Sequence, residues 1–376
     1  MKKIAIIGAG IAGLYFANLL KKNSDYNFTI FERKTLLDTE DGYGIQLSVN
    51  SIKLLNQIGF ENVDKSKIYN PKKINFINAS NNKKICDLDI SKFNYKNNQY
   101  TTLKRSILHK FLLSEISDEK IKLNTQLKKL TYEKKIILSF NKNYKEEFDY
   151  LIVSDGVFSE TKSIILNKKI KPKYFNSLAL RGNIIDYNNE DISIYLGPNF
   201  HFVIYPVSKR KEYNFILIVK KELFHKKTYS DKIFLHSLAE ELYKKTEVKL
   251  DGTLNNIKSF PIYISESLEI SKKENIFFVG DALFALPPSF AQGASQSIES
   301  SQELFDQIFN QIKGNKNSYY KKRIKKINSV NWRSKLNYFA FHLSNPIFTL
   351  FRNFILKMLV KNYRFLNSYL GNIYRD

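Results

Sequence analysis

The chain has 376 residues, enough for one large domain or two ordinary ones whose cores need no staples. Its single cysteine, Cys86, excludes an internal disulfide framework and points to a reducing, cytoplasmic compartment. The net charge of +24 comes from 51 lysines and 9 arginines against 36 acids, in a composition also rich in Asn and Ile. No basic run carries a nucleic-acid-binding signature, so nucleic acid is not expected as a partner.

The N-terminal stretch MKKIAIIGAGIAGLYFANLL imitates a secretory signal, but its regular glycines and the lack of a small-x-small cleavage site argue that it is retained. Lys3 to Ile7 reads as a buried strand and Ile11 to Lys21 as a helix with Leu14, Ala17 and Leu20 on one face. Between them stand Gly8, Gly10 and Gly13. In this spacing Gly8 permits a tight turn, Gly10 lets the backbone approach a pyrophosphate, and Gly13 lets the helix close on the sheet. A second strand, Phe28 to Phe31, ends at Glu32, whose carboxylate can accept both hydroxyls of an adenosine ribose and repels a 2′-phosphate. The dinucleotide expected here is FAD or NAD, not NADP.

The segment GYGIQLSVNSIKLLNQIGF, residues 42–60, reads as a glycine-rich approach to a helix with Gly59 at its C-cap. Strands are expected over 73–78 and 84–89, joined by an Asn81-Asn82 turn. A helix is expected over 101–116, with Arg105 near its start serving either a phosphate or the solvent. Residues 121–153 alternate through several strands, and Asp155-Gly156 forms a turn after which Ser159 can cap a helix.

Aromatic-rich strands over 174–184, 192–196, 201–207 and 213–219 suggest an antiparallel sheet with one buried face. Its Tyr and Phe residues would roof a flat apolar substrate or serve as ordinary core. A helix over 230–245 and a strand over 257–263 follow. The stretch VGDALFALPPSFAQGASQSIES, residues 279–300, places Asp281 on a turn after a buried strand. Gly293 opens a helix there whose N-terminal amides can face an electron-rich ring edge. No apolar run is long enough to span a membrane. The aromatic and basic C-terminal region suits a helical hairpin packed on the domain, the favoured reading, or a peripheral contact with the inner face of a membrane.

These motifs together resemble the single-component flavin-dependent aromatic hydroxylases of the p-hydroxybenzoate hydroxylase fold, in particular the salicylate hydroxylase-like and ubiquinone-biosynthesis branches. The resemblance rests on GAGIAG with Glu32, GYGIQL, LKRSILHKFLL, VSDGVFS, ALRG, HFVIYPV and the 279–300 stretch, and spans nearly the whole chain. It implies an α/β fold: a Rossmann-like FAD-binding domain (1–72, 98–170 and 270–335), an inserted mixed or antiparallel β-sheet substrate domain (73–97 and 171–269), and C-terminal helices (336–376).

By position it assigns to the cofactor Gly8, Gly10, Ile11, Ala12, Gly13, Glu32, Arg33, Gly44, Ile45 and Arg105. Asp155, Asp281, Pro288, Gln292, Gly293 and Ala294 complete that set. The second fingerprint, Asp155-Gly156, is associated in the family with FAD and NAD(P)H. NADH or NADPH is implied as a transient co-substrate, dioxygen as oxidant, and a flavin C4a-hydroperoxide as the oxygen donor to an aromatic or prenylated substrate. Arg181, His201, Tyr205 and Phe290 are the pocket candidates, although a lone His on a strand, as at His201, is more often a structural residue; no metal is expected. Three positions depart from the family pattern: Phe284 where a His is usual, Lys162 where an Arg is usual, and Ser300 where an acid is usual. The competing readings are an FAD-dependent reductase of isoprenoid double bonds and a flavin-binding accessory protein.

Overall fold

A computed structural model describes residues 1–37, 42–185, 187–221, 257–310 and 315–374. The helix expected over 230–245 lies outside the described residues. At the start of the chain, β1 (Lys2–Ile7), α1 (Ile11–Lys21) and β2 (Tyr26–Phe31) form the expected strand, helix and strand. β3 (Gly44–Leu47) leads into α2 (Val49–Asn56), which closes at Gln57. Gly59, at φ +96°, is not the C-cap; it turns the chain into a short 3-10 segment. After β4 (Ile68–Tyr69), β5 (Lys73–Asn78) and β6 (Lys84–Asp89) make the expected hairpin.

The helix expected over 101–116 divides. β7 (Thr101–Lys104) is a strand held between β3 and β4, and α3 (Arg105–Ser114) starts at Arg105 itself. The paired threonines favour extended backbone, and two short partner strands supply the hydrogen bonds that a helical first turn would otherwise make.

Next come β8 (Ile121–Lys122), β9 (Leu127–Tyr132), β10 (Ile136–Phe140), β11 (Lys145–Phe148) and β12 (Tyr150–Val153). α4 (Glu160–Leu166) is capped by Ser159, whose Oγ accepts from the Lys162 amide at 3.0 Å. β13 (Lys173–Ile185), β14 (Ile192–Gly197), β15 (Phe200–Pro206), β16 (Glu212–Lys220) and β17 (Lys258–Ile264) follow. The chain then returns through β18 (Ile276–Phe278), α5 (Gly293–Leu304), α6 (Lys316–Phe341) and α7 (Pro346–Leu359).

Two sheets position the site. The first is parallel, in the order β18-β12-β1-β2-β8, and its strands are apolar because helices and a small antiparallel sheet cover them. The second has the order β17-β13-β16-β15-β14-β5-β6 and is mixed, since β14 pairs with β5 in parallel and the other pairs are antiparallel. Strand alternation splits β15 as its period of two requires: His201, Val203 and Tyr205 point one way, Phe202 and Ile204 the other. Of the two readings of the sheet aromatics, substrate roof or ordinary core, most follow the second. Tyr195, Phe202 and Phe215 pack together in the far-face core, while Ile194, Val203, Ile216 and Ile218 line the face above the cavity.

α5 and α6 are joined by a buried charge network. The Arg323 guanidinium donates to Glu303 at 3.1 Å, Glu299 at 3.4 Å and Gln296 at 2.9 Å, and Asn50 adds a bond to Glu299. Lys326 also reaches Glu299 at 3.2 Å and Lys322 reaches Glu303 at 3.4 Å, so three cations of α6 meet two carboxylates of α5 and fix how the helices sit together.

Candidate functional site

The two ends of the chain meet at the C-terminal edge of the parallel sheet. Gly8 adopts φ +103°, and a Cβ on Gly13 would lie 2.2 Å from the Gly8 carbonyl and 2.5 Å from Ser154 Oγ. These two glycines are required by the protein's own packing. Gly10 differs: a Cβ there would meet nothing closer than the Ser154 carbonyl at 3.9 Å, so its open side is left for something else. No side chain caps α1, whose N-cap is Gly10. His109 of α3 donates to the Ala9 carbonyl at 2.9 Å and steadies the loop; burial pushes its pKa down, which keeps the ring neutral. Sequence reasoning passed over His109, since nothing in its helix pattern announces a contact with residue 9.

Glu32 stands at the end of β2 with one oxygen accepting from the Ala9 amide at 2.9 Å and the other from Lys34 at 3.0 Å. Each oxygen keeps a lone pair for a further donor. Arg33 beside it is exposed. On the neighbouring strand, Ser154 Oγ donates to the Ile7 and Gly8 carbonyls, and Asp155 follows beneath Gly8. Burial raises the Asp155 pKa against its bonds to Ser159 and Thr161, and its Oδ1 has no hydrogen-bond partner.

From the other end, the Gly280-Asp281 turn presses on α1: a Cβ on Gly280 would lie 2.9 Å from Ala12 Cβ. Ser300 Oγ accepts from the Gly280 amide at 2.9 Å, and Ser301 Oγ donates to the Ala12 carbonyl at 3.0 Å. Ser300, a departure from the family pattern, therefore holds this turn. Water reaches the Asp281 side chain within a cleft that protein otherwise encloses. That enclosure pushes its pKa up to about 6, and the charge of Arg105 opposes the shift. Arg105 has no hydrogen bond or ion pair to its guanidinium among the described residues. α5 starts uncapped at Gly293, around which a Cβ would meet nothing within 4 Å, and the buried Gln292 has an unpartnered Nε2.

Two bare helix N-termini, open Cβ directions at Gly10 and Gly293, a free edge on Glu32 and an orphaned amide at Gln292 fit an elongated dinucleotide with a polar ring. FAD has that shape and chemistry. Gly8 and Gly13 shape its loop without facing it, and Ile11 and Ala12 give the first amides of α1.

A cavity of about 760 Å³ adjoins this groove. Gly44, Ile45, Asp281, Pro288, Gly293 and Ala294 form its groove end, so the positions assigned to the cofactor from both halves of the chain are brought together there. Its ceiling is the aliphatic face of the mixed sheet, including Arg181, His201 and Tyr205; Phe290 stands at the side. Arg181 is half-buried, its guanidinium beside Tyr205, Tyr43 and Arg105, with no hydrogen bond or ion pair among the described residues. Burial lowers its pKa, and Arg105 adds to that effect. Gln46, quoted in a motif but given no role, accepts from Tyr100 at 2.8 Å and also reaches the Tyr205 hydroxyl.

His201 is otherwise engaged. Its Nδ1 lies 2.9 Å from His342 Nε2, and burial pushes its pKa well below the ordinary value and that of His342 down to about 3. The pair is neutral and joins β15 to the end of α6. Lys162, the second departure, is also inward-facing: Nζ donates to the Leu283 carbonyl at 3.2 Å, and burial lowers its pKa. Phe284 packs against the main core.

The far wall of the cavity was not foreseen. α6, α7 and the final residues contribute Phe341, Arg352, Leu356, Leu366, Tyr369 and Tyr374, so the C-terminal helices are part of the chamber and not an appendage. The 3–4 spacing of apolar residues through α7 signals an amphipathic helix but not what it covers.

The chain matches the FAD binding domain family over residues 1–323. It is 21% identical over 315 residues to 3-amino-4-hydroxybenzoate 2-monooxygenase PtnB3 of Streptomyces platensis, covering 81% of this chain and 78% of that one. It is 22% identical over 322 residues to 6-hydroxynicotinate 3-monooxygenase of Bordetella bronchiseptica, covering 82% and 83%. Among solved structures, Klebsiella pneumoniae HpxO complexed with FAD and uric acid superposes with a TM-score of 0.83 at 15% identity, over 99% of this chain and 96% of that chain. A salicylate hydroxylase substrate complex superposes with a TM-score of 0.78 at 18% identity, over 100% and 95%.

Proposed function

We propose, from the premise that this chain belongs to the FAD binding domain family and is an FAD-dependent oxidoreductase of the aromatic monooxygenase type, that it hydroxylates an aromatic or quinone-precursor substrate with NADH or NADPH as electron donor. In the balanced reaction one atom of dioxygen enters the substrate, the other leaves as water, and the nicotinamide supplies two electrons. The observation that carries this reading is the junction at Asp281, Gly293 and Gly44, where a dinucleotide groove opens directly into a large apolar chamber.

Bound FAD supplies the electron transfer and oxygen activation that no side chain can. Glu32, with Arg33 beside it, would hold the adenosine ribose. Gly10, Ile11 and Ala12 would offer backbone amides to the pyrophosphate, where Arg105 would add charge, and Asp155 would support the loop from below. Asp281, largely ionised at neutral pH, would accept from the polyol chain. The α5 amides at Gly293 and Ala294, with Gln292 and Pro288, would serve the ring and stabilise negative charge on it. Gly44 and Ile45 would close the opposite side.

The chamber walls exclude water, and Arg181 orients the substrate. A half-buried guanidinium with no partner among the described residues is stabilised by a carboxylate or phenolate, so the aromatic substrate carries an anionic group that pairs with it. Tyr205, held by Gln46, completes that polar end, and Phe290 flanks the ring. The Lys162 position retains a charge without the bidentate fork of Arg, and Phe284 supplies packing; neither touches the chamber. Residues 1–72, 98–170 and 270–335 form the cofactor part in this reading, with 73–97 and 171–269 over the substrate and 336–376 closing it.

Purified protein mixed with NADH or NADPH in air and a panel of phenolic acids and polyprenyl phenols tests the proposal. Substrate-stimulated oxygen uptake with an equivalent of hydroxylated product is expected. Reduction of a prenyl double bond without oxygen uptake, or a flavin that neither donor reduces, would sink it.

A further inference from the structure

We infer that α7 docks this protein on a bilayer surface bearing anionic headgroups, and that the chamber takes its substrate from that bilayer, so that the substrate is an aromatic head on a lipophilic tail. The substrate clause rests on the monooxygenase reading; the docking clause does not.

The geometry is that of a helix with too much apolar surface. Ile347, Leu350, Phe354 and Met358 are 58–71% exposed, and with Phe348 and Phe351 they leave roughly 700 Å² of apolar surface on one short helix, if each side chain offers about 150–250 Å². That exceeds the largest patch of an ordinary monomer, about 300–600 Å². The helix has 14 residues, a length of about 21 Å against a hydrocarbon thickness of about 30 Å. No helix among the described residues is long and apolar enough to cross a membrane. A short helix with this face lies in the plane of the interface.

Its charges point to the same occupant. Between Asp306 and Asp376 the sequence has fourteen Lys and Arg and no Asp or Glu. Lys357, Lys361 and Arg364 are exposed on and just beyond α7, whereas Arg352 is turned inward, donating to the Ala340 carbonyl at 3.2 Å and to Asn353. The strand packed against α7, β6, brings Asp87 and Asp89, but these are matched by Lys84 and Lys92. An apolar face rimmed by unopposed cations complements anionic lipid; a second copy of the same face would place cation against cation.

The chamber supplies the reason for docking there. Phe348, Phe351 and Ile355 belong to the exposed face and also line the cavity, together with Leu359 deeper in. A tail can therefore pass from the hydrocarbon into the chamber along apolar side chains while the head reaches Arg181.

The test uses the full-length flavin-loaded protein in flotation with vesicles of phosphatidylcholine alone and of phosphatidylcholine mixed equally with phosphatidylglycerol. Binding is expected to the mixed vesicles and to fall at least tenfold in the Leu350→Glu/Phe354→Glu variant, whose side chains do not line the chamber. Flavin absorbance and Tm report that the variant is folded, and Lys357→Gln/Lys361→Gln, a milder change, is expected to weaken binding to mixed vesicles alone. Turnover of a short water-soluble phenol should survive in the first variant while turnover of a long-tailed phenol embedded in vesicles is lost. Equal flotation of wild type and variants, or an α7-dependent dimer that ignores vesicles, overturns docking. Equal loss of both substrates by a folded variant overturns the route into the chamber.

Discussion

Replacing Arg181 by Met should make the protein more stable and less able to bind its substrate. Arg181 sits mid-strand in β13, between Ile216 and Lys258 of the neighbouring strands, lining the chamber and unpaired among the described residues. In the substrate-free protein this half-buried charge keeps part of its hydration, so the cost of desolvating it is partial and an apolar side chain of similar length should stabilise by about 1 kcal/mol. At about 2.1 cal/mol/K of unfolding entropy per residue, that gain raises Tm by roughly 1 °C. Losing a bidentate contact to an anionic substrate costs about 2–4 kcal/mol, or roughly 30- to 700-fold in KM. Calorimetry of flavin-loaded protein gives the first quantity and substrate-stimulated NAD(P)H oxidation the second. Arg181→Lys, which keeps a charge without the fork, should fall between. A lowered Tm with unchanged KM would refute both the unpaired state and the substrate role.

Three further outcomes follow from particular contacts. Gly10→Val should fold with a normal Tm yet elute without flavin absorbance, because its side chain enters open space, whereas Gly13→Val should fail to accumulate as folded protein, because its Cβ meets the Gly8 carbonyl at 2.2 Å. Ser300→Ala removes the acceptor for the Gly280 amide and should cost about 1 kcal/mol in urea unfolding, with a several-fold faster loss of FAD on dilution. For the His201–His342 pair the folded pKa values are depressed, so their contribution is complete above the unfolded value near 6.5 and is lost as pH falls below it. Between pH 6.5 and 5 this amounts to about 2 kcal/mol per ring, and urea titrations should show that His201→Phe, relative to wild type, loses less stability across that interval.

The N-terminal unit was legible because each residue's role there is local: the glycine spacing, the apolar strand and the terminal Glu32 fall within 32 positions. The return of residues 279–300 to the same edge was legible through motif resemblance, since no local rule brings Gly280 against Ala12. Besides the Gly59 cap, two readings were settled by contacts distant in sequence. Thr101 to Lys104 looked like a helical first turn, and only the partners β3 and β4, distant in sequence, make it a strand. The choice between aromatic roof and ordinary core stayed open because period two assigns residues to faces without saying which face meets the chamber; Tyr195, Phe202 and Phe215 pack in the far core. Arg181 and Phe290 were visible as candidates, but that Arg181 has no partner among the described residues required the folded sheet, and that His201 has one in His342 required the packing of α6.

The order of the parallel sheet has a cost during synthesis. β1 lies at its centre, yet its neighbour β12 comes from residues 150–153 and the outer β18 from 276–278. At about 5–20 residues per second, roughly 15 to 55 s pass between the emergence of the first strand and of the last. Throughout that interval an apolar sheet edge stands open, first β1 and then β12, and high contact order makes its closure slow in any case. The nascent protein is therefore expected to depend on a holding chaperone far more than its finished core suggests, and FAD can engage both halves of its groove only after translation has passed α5.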